Sequence, residues 1–250
     1  MMQYECASYS DIGGRETNED AMFCERAENA LAAAVADGLG GHGGGEIASG
    51  KALERFGANL QKLIPPTEAA LSEVCADMNR AVIEAQTEKL HMKTTLAAAV
   101  LNEGTLACMH VGDSRVYYFK DGGIRYQSTD HSVSQLAVLA HEITQEQIRF
   151  HEDRSRILRS LGSEDAAVPE IRVFTDALMP GDAVLLCTDG FWEYVLEKEI
   201  LSFLKRTRTA QDWLGRMVRI LRKRAKKGND NNSAVAIRVT AQGTQKARGF

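Results

Sequence analysis

The sequence predicts an α+β protein in which helices pack on layers of antiparallel sheet. Short apolar runs at 94–102, 105–111, 115–120 and 124–128 are parted by the turns Glu103-Gly104 and Asp121-Gly122-Gly123, and read as a meander of antiparallel strands. Two longer stretches, 44–63 and 67–89, carry apolar residues at helical spacing and are broken apart by Pro65-Pro66. A second helical pair, 197–204 and 210–224, precedes a closing strand at 233–239. Blocks of strands separated by helix pairs define α+β, not alternating βαβ units.

In chain order, residues 2–9 alternate weakly and are expected to form a first strand. The polar, glycine-bearing SDIGGRETNEDA that follows is a loop by composition. Met22–Glu25 and Ala30–Ala36 read as paired strands with Arg26–Asn29 as their turn. The alanine run also suits a helix, but its place before the corner Asp37-Gly38 decides for strand. Ile47, Leu53, Phe56 and Leu60 share one face of the first helix; Leu71, Val74, Met78, Val82 and Ile83 share one face of the second, which Thr67 is placed to cap. Residues 132–165 turn polar and rich in His, Glu and Arg, and read as an insert over one end of the sheet. Strands resume at Ile171–Thr175 and Ala183–Cys187, joined by the turn Met179-Pro180-Gly181-Asp182. One domain over 1–240 is expected, with a loose tail at 241–250.

The 250 residues, 44% hydrophobic and 26% charged, afford a core without disulfides. A net charge of −4 gives no overall footprint for nucleic acid. No apolar run reaches the roughly 18 residues of a membrane span, and MMQYECASYSD lacks the parts of a signal peptide. The five cysteines are scattered without a C-x-x-C pair, which suits inert, buried thiols in a reducing, cytoplasmic setting. Asn231-Asn232-Ser233 matches a glycosylation acceptor, but nothing else points to secretion.

Asp37-Gly38 follows ALAAAVA, Asp189-Gly190 follows AVLLCT, and Asp230 precedes the closing strand. Glu19-Asp20 and Asp113 are further acidic corners. An Asp-Gly pair alone is usually a turn. Carboxylates gathered at several strand ends repel unless cations sit among them. Oxygen ligands without a Cys/His pattern favour Mg²⁺ or Mn²⁺ over Zn²⁺. Arg15, five residues before Asp20, has the fork that clamps a phosphate, although alone it reads as a surface ion-pair residue.

The strings SDIGGRETNEDA (10–21), VADGLGGHGGGEIAS (35–49), TTLAAAVL (94–101), HVGDSRVYYF (110–119), STDHS (128–132), GDAVLLCTDGFWE (181–193) and DNNSAVAIRV (230–239) occur in an order that resembles the metal-dependent protein phosphatases of type 2C, in their bacterial form. The resemblance spans about 11–239. It implies a four-layer α-β-β-α sandwich, two antiparallel sheets flanked by helix pairs, with 132–165 as a flap beside the active site. It implies Asp20, Asp37, Asp189 and Asp230 as ligands of two Mn²⁺ or Mg²⁺ ions, the Gly38 carbonyl as a further ligand, and Glu19 acting through water. Asp113 with Asp189 is implied as a weaker third site, and Arg15 as the phosphate clamp. The implied reaction is hydrolysis of phosphoserine and phosphothreonine in proteins by hydroxide bridged between the ions, reversing a Ser/Thr kinase in signalling. A monomer acting on a phosphoprotein is expected. The competing readings are two: a related phosphatase acting on a regulatory protein or small phosphoester, and a non-catalytic phosphoprotein-binding or scaffold domain of the same fold.

Leu39 stands where eukaryotic members often have a histidine proposed as general acid; His42 is nearby, and no acid is assigned. The insert carries AHEI where many members have a glycine. Gly45–Ala52 is a near-miss phosphate loop, with Ala52 where a hydroxyl belongs. The basic run 216–227 reads as a solvated helix face near a C-terminus. His110, His131, His141 and His151 share no ligand spacing, and Trp192 and Trp213 read as packing residues.

Overall fold

The computed structural model describes residues 2–27, 29–40, 43–165, 167–175 and 178–241. His42 and nearly all of the tail expected to be loose lie outside the described residues. The strands are β1 (Met2–Asp11), β2 (Asp20–Ala27), β3 (Ala30–Leu39), β4 (Lys93–Thr94), β5 (Leu96–Asn102), β6 (Thr105–Val111), β7 (Arg115–Lys120), β8 (Gly123–Gln127), β9 (Glu170–Phe174), β10 (Ala183–Cys187) and β11 (Asn232–Ala241). The helices are α1 (Gly45–Ala58), α2 (Glu68–Ala85), α3 (Val133–Leu139), α4 (Asp189–Trp192), α5 (Glu197–Arg206) and α6 (Ala210–Arg224).

Strand periodicity of two sets the layers. Along β3, Ala32, Ala34 and Ala36 lie beneath α1 and α2, while Leu31, Ala33 and Val35 face the other sheet. The first sheet runs β1-β11-β10-β7-β8; the second runs β2-β3-β5-β6-β9, with β4 on the tip of β3. All these pairings are antiparallel. Trp213, Leu214, Met217 and Leu221 of α6 cover the outer face of the first sheet together with Ile200 and Leu204 of α5. The inter-sheet core joins Leu31, Val35, Leu101 and Cys108 to Val116, Tyr118, Leu186 and Ile237. The result is the expected sandwich of helices, two antiparallel sheets and helices.

The single meander is corrected. β5–β6 belongs to the second sheet and β7–β8 to the first, so the chain crosses between sheets at Gly112–Ser114. Gly112 makes the crossing at φ +98°, and a Cβ there would fall 2.8 Å from Thr95 Cγ2. β9 and β10, read as neighbours across a turn, likewise belong to different sheets.

The first helix ends at Ala58, and Leu60–Leu63 forms a separate 3-10 turn. Ile47 is 42% exposed rather than core. Ala48 and Ala52 take the buried face instead, because small side chains let α1 approach the alanine face of β3. α2 is capped by Thr67, whose Oγ1 accepts from Ala70 N at 3.2 Å, and stops at Ala85 short of 89; Ile83 is half-buried. Gly45–Ala52 lies inside α1, so it forms no phosphate loop. The thiols are not uniformly buried: Cys75, Cys108 and Cys187 are, whereas Cys6 and Cys24 are half-buried.

Candidate metal centre

The inter-sheet face of each strand, followed one step past its last apolar residue, becomes polar at one end of the sandwich. Met22 and Cys24 of β2 lead to Asp20, and Leu31, Ala33 and Val35 of β3 lead to Asp37. The β2–β3 register sets Asp20 opposite Asp37. On the first sheet, Val184 and Leu186 of β10 lead to Thr188 and then Asp189, the first residue of α4. Asp230 lies just before β11, and Asp113 sits in the crossover between the sheets.

These elements open a cleft of about 430 Å³ lined by Arg15, Glu19, Asp37, Asp113, Asp189 and Asp230, together with Gly38, Leu39, Gly40, Asn231 and two residues of the insert, Ser155 and Ile157. Asp20 lies beside it, its Oδ2 accepting from Thr188 Oγ1 at 2.9 Å, and Thr188 in turn accepts from Ser233 N at 3.0 Å. The backbone of Asp37 is held on three sides: Thr95 Oγ1 accepts from its N at 3.0 Å, while Thr94 Oγ1 and Thr95 N each donate to its carbonyl at 2.9 Å. A Cβ on Gly38 would lie 2.1 Å from the Gly45 carbonyl oxygen, so only glycine lets the strand end and the start of α1 meet backbone to backbone. At the exposed rim, Arg15 Nη2 donates to Asp230 Oδ2 at 2.7 Å.

The electrostatics are one-sided. Asp20 Oδ1, both carboxylate oxygens of Asp113 and Asp189 Oδ1 are shut off from solvent and meet no donor among the described residues. The carboxyl groups of Asp37 and Asp189 lie against one another. Burial first, then the neighbouring carboxylates, pushes Asp37 and Asp113 well above the usual carboxylate range. Burial raises Asp20 and Asp189 to about 7, against the favourable hydrogen bonds that Asp20 accepts. Burial and Glu46 raise Glu19. Buried anions without protein cations fit a hard divalent ion, which supplies the missing positive charge and takes oxygen ligands.

The sequence-derived residues Arg15, Glu19, Asp20, Asp37, Gly38, Asp113, Asp189 and Asp230 thus all sit in or beside one cleft. Sequence reasoning missed the residues that hold them. Asn231 Oδ1 accepts from Glu19 N at 2.8 Å while its Nδ2 donates to the Ile12 and Thr17 carbonyls at 2.8 and 3.0 Å, fixing the Arg15 loop at both ends. Trp192 is more than packing: its Nε1 donates to the Asp113 carbonyl at 2.9 Å, and the Arg115 guanidinium stacks 3.6 Å from its ring centre. Arg115 is itself buried and doubly bonded to Asp130, at 2.8 and 2.7 Å. On the other side, Arg149 of the insert donates to the Trp192 carbonyl at 3.1 Å and to Glu197 at 2.6 Å. An asparagine in DNNS and an arginine in GDSR were the available signals.

His110 and His131 do meet, with Glu170 alongside, their possible ligand atoms all within 4.8 Å of one another. The rings stack 4.5 Å apart at 13°, so their lone pairs run side by side rather than converging. The Arg159 guanidinium also lies 3.3 Å from His131 Nε2, which disfavours a cation there.

Fold and cleft together define a two-sheet sandwich with an oxygen-rich, acidic cleft at its mouth. The sequence profile of the protein phosphatase 2C family matches residues 9–231, and the chain belongs to that family. It is 30% identical over 208 residues to the serine/threonine phosphatase stp of Listeria monocytogenes, covering 79% of this chain and 81% of that protein. It is 32% identical over 209 residues to the serine/threonine protein phosphatase PstP of Mycobacterium tuberculosis, covering 80% of this chain and 38% of the longer relative. The crystal structure of the PstP catalytic domain in complex with two manganese ions superposes with a TM-score of 0.77 at 30% identity, covering 96% of this chain and all of that one.

Proposed function

We propose that this protein is a Mn²⁺- or Mg²⁺-dependent phosphatase that acts as a monomer and hydrolyses phosphoserine and phosphothreonine in proteins, reversing a Ser/Thr kinase. The observation that carries this reading is the set of carboxylate oxygens on Asp20, Asp113 and Asp189 that are closed to solvent and lack a donor among the described residues. Family membership, relatives named as serine/threonine phosphatases, and the two manganese ions of the PstP domain support it.

Asp20, Asp37, Asp189 and Asp230, with the Gly38 carbonyl, are the groups that would hold two ions; Glu19 would act through water, and Asp113 with Asp189 would hold a weaker third. Such ions, when bound, supply Lewis acidity toward the phosphoryl oxygens and acidify the attacking water. The remaining work falls to the chain. Arg15 already grips a carboxylate oxygen at 2.7 Å at the rim, and a phosphate offers the same fork two such oxygens. Asn231 keeps the Arg15 loop in register with Glu19. Thr188 holds one oxygen of Asp20, which fixes the direction of the other. Trp192 anchors the crossover that carries Asp113. No helix among the described residues is long and apolar enough to cross a membrane.

The test is turnover of a phosphothreonine peptide with Mn²⁺, with EDTA, and in Asp189→Asn. Metal-dependent turnover that drops about a thousandfold in the variant is expected. A folded, Mn²⁺-loaded protein without turnover would overturn catalysis and favour a binding domain.

A further inference from the structure

Two thiols far apart in use, though not in space, lie at the edge of the sandwich. Cys6 is on β1, an edge strand of the first sheet, and Cys24 is on β2, an edge strand of the second. Each is paired to an inner strand on one side only, Cys6 opposite Ile237 and Cys24 opposite Ala33. Both side chains turn into the inter-sheet core, where their sulfurs stand 2.8 Å apart. That is closer than ordinary contact between unbonded sulfurs, and nothing lies between them. The other three cysteines are buried in three different packing clusters, Cys75 under the helices, Cys187 in the core of the first sheet and Cys108 between the sheets.

We propose that Cys6 and Cys24 form an oxidative modification site that a small-molecule disulfide converts into a covalent tie between the two sheets. The step is thiol–disulfide exchange. The Cys6 thiolate attacks one sulfur of the external disulfide; a mixed disulfide forms and one small thiolate leaves. Cys24 loses its proton to solvent and attacks the Cys6 sulfur, forming the Cys6–Cys24 bond and expelling the second small thiol. Two protein thiols are oxidised, and one external disulfide is reduced to two thiols. Burial and the adjoining Cys6 thiol push the Cys24 thiol up, so the exchange is faster at alkaline pH, and the same bond results whichever of the two thiols attacks first. The new bond closes a loop from 6 to 24 that carries Arg15, Glu19 and Asp20. It therefore constrains the segment that shapes one wall of the cleft, and it restricts the unfolded chain. This inference does not depend on the proposed phosphatase activity.

The experiment treats the full chain with oxidised glutathione at pH 8.5, alkylates remaining thiols under denaturing conditions and maps the peptides. Expected are a peptide pair joined through Cys6 and Cys24, alkylation retained at Cys75, Cys108 and Cys187, and a midpoint of thermal unfolding raised by about 5 °C or more. The rise should vanish with dithiothreitol and be missing in Cys6→Ser and, separately, in Cys24→Ala. Both residues recovered fully alkylated while a control dithiol peptide oxidises, or a bond that joins any other pair, overturns the proposal.

Discussion

The space between the two sheets has a body and a mouth, built from the same strands with opposite energetics. In the body, Leu31, Val35, Leu101, Val184 and Ile237 are withdrawn from water, and each large side chain contributes about 1.5–3 kcal/mol. At the mouth, the next positions in the same alternation are Asp20, Asp37 and Thr188, the last followed at once by Asp189, and withdrawal from water disfavours the charged form of all three aspartates. Burial stabilises one region and destabilises the other in the absence of a cation. The body defines the fold; the mouth is a region whose stability is left to a ligand.

The largest test of that contrast is Asp37→Asn. It removes one of the facing charges at the mouth, so phosphopeptide turnover with Mn²⁺ should fall about a thousandfold while the EDTA-treated protein becomes more resistant to urea. A metal-free variant less stable than the parent would break the contrast. In the body, Leu101→Ala should cost about 2–5 kcal/mol in urea unfolding while turnover per folded molecule stays within about twofold of the parent.

The mouth should also give the metal-free protein an inverted pH response. Asp20 and Asp189 titrate near 7 in the fold against an ordinary value of 3.8. The fold thus favours their protonated forms. The stabilisation this brings is complete below the unfolded value and is lost as pH rises through about 7. Urea midpoints in EDTA should therefore fall between pH 5 and pH 8, and excess Mn²⁺ should abolish the fall; a flat profile in EDTA would count against strained carboxylates. The smallest effect is expected at His141, an exposed residue at φ +60° in the insert, at the segment read as standing where relatives have a glycine. His141→Gly should raise stability by about 1 kcal/mol or less, with turnover unaltered.

The same alternation explains what could be read from the sequence. Strands were legible because apolar runs ended in turn residues, and the acidic corners were legible because each adjoins one end of such a run. The crossing at Gly112–Ser114 was not, since a glycine turn within one sheet and a glycine step between sheets look alike until Gly112 is seen packed on Thr95. Ile47 was misplaced because helical spacing marks an apolar stripe without saying that alanines, facing an alanine strand, will win the closest contact. Asn231 and Thr188 escaped notice because their work is done on backbone groups and carboxylates distant in sequence.

The aspartates of the mouth come from both sheets, Asp20 and Asp37 from one and Asp189 and Asp230 from the ends of the other. Any solute that engages both pairs is a bolt whose tightness follows its concentration. When it is scarce, the two sheets are joined at that end by their apolar interior and by hydrogen bonds such as Thr188 to Asp20 and Glu19 to Asn231 alone. When it is plentiful, they open as one unit. Amide exchange along the tips of β3 and β11 would then serve as a gauge of the ion supply around the protein.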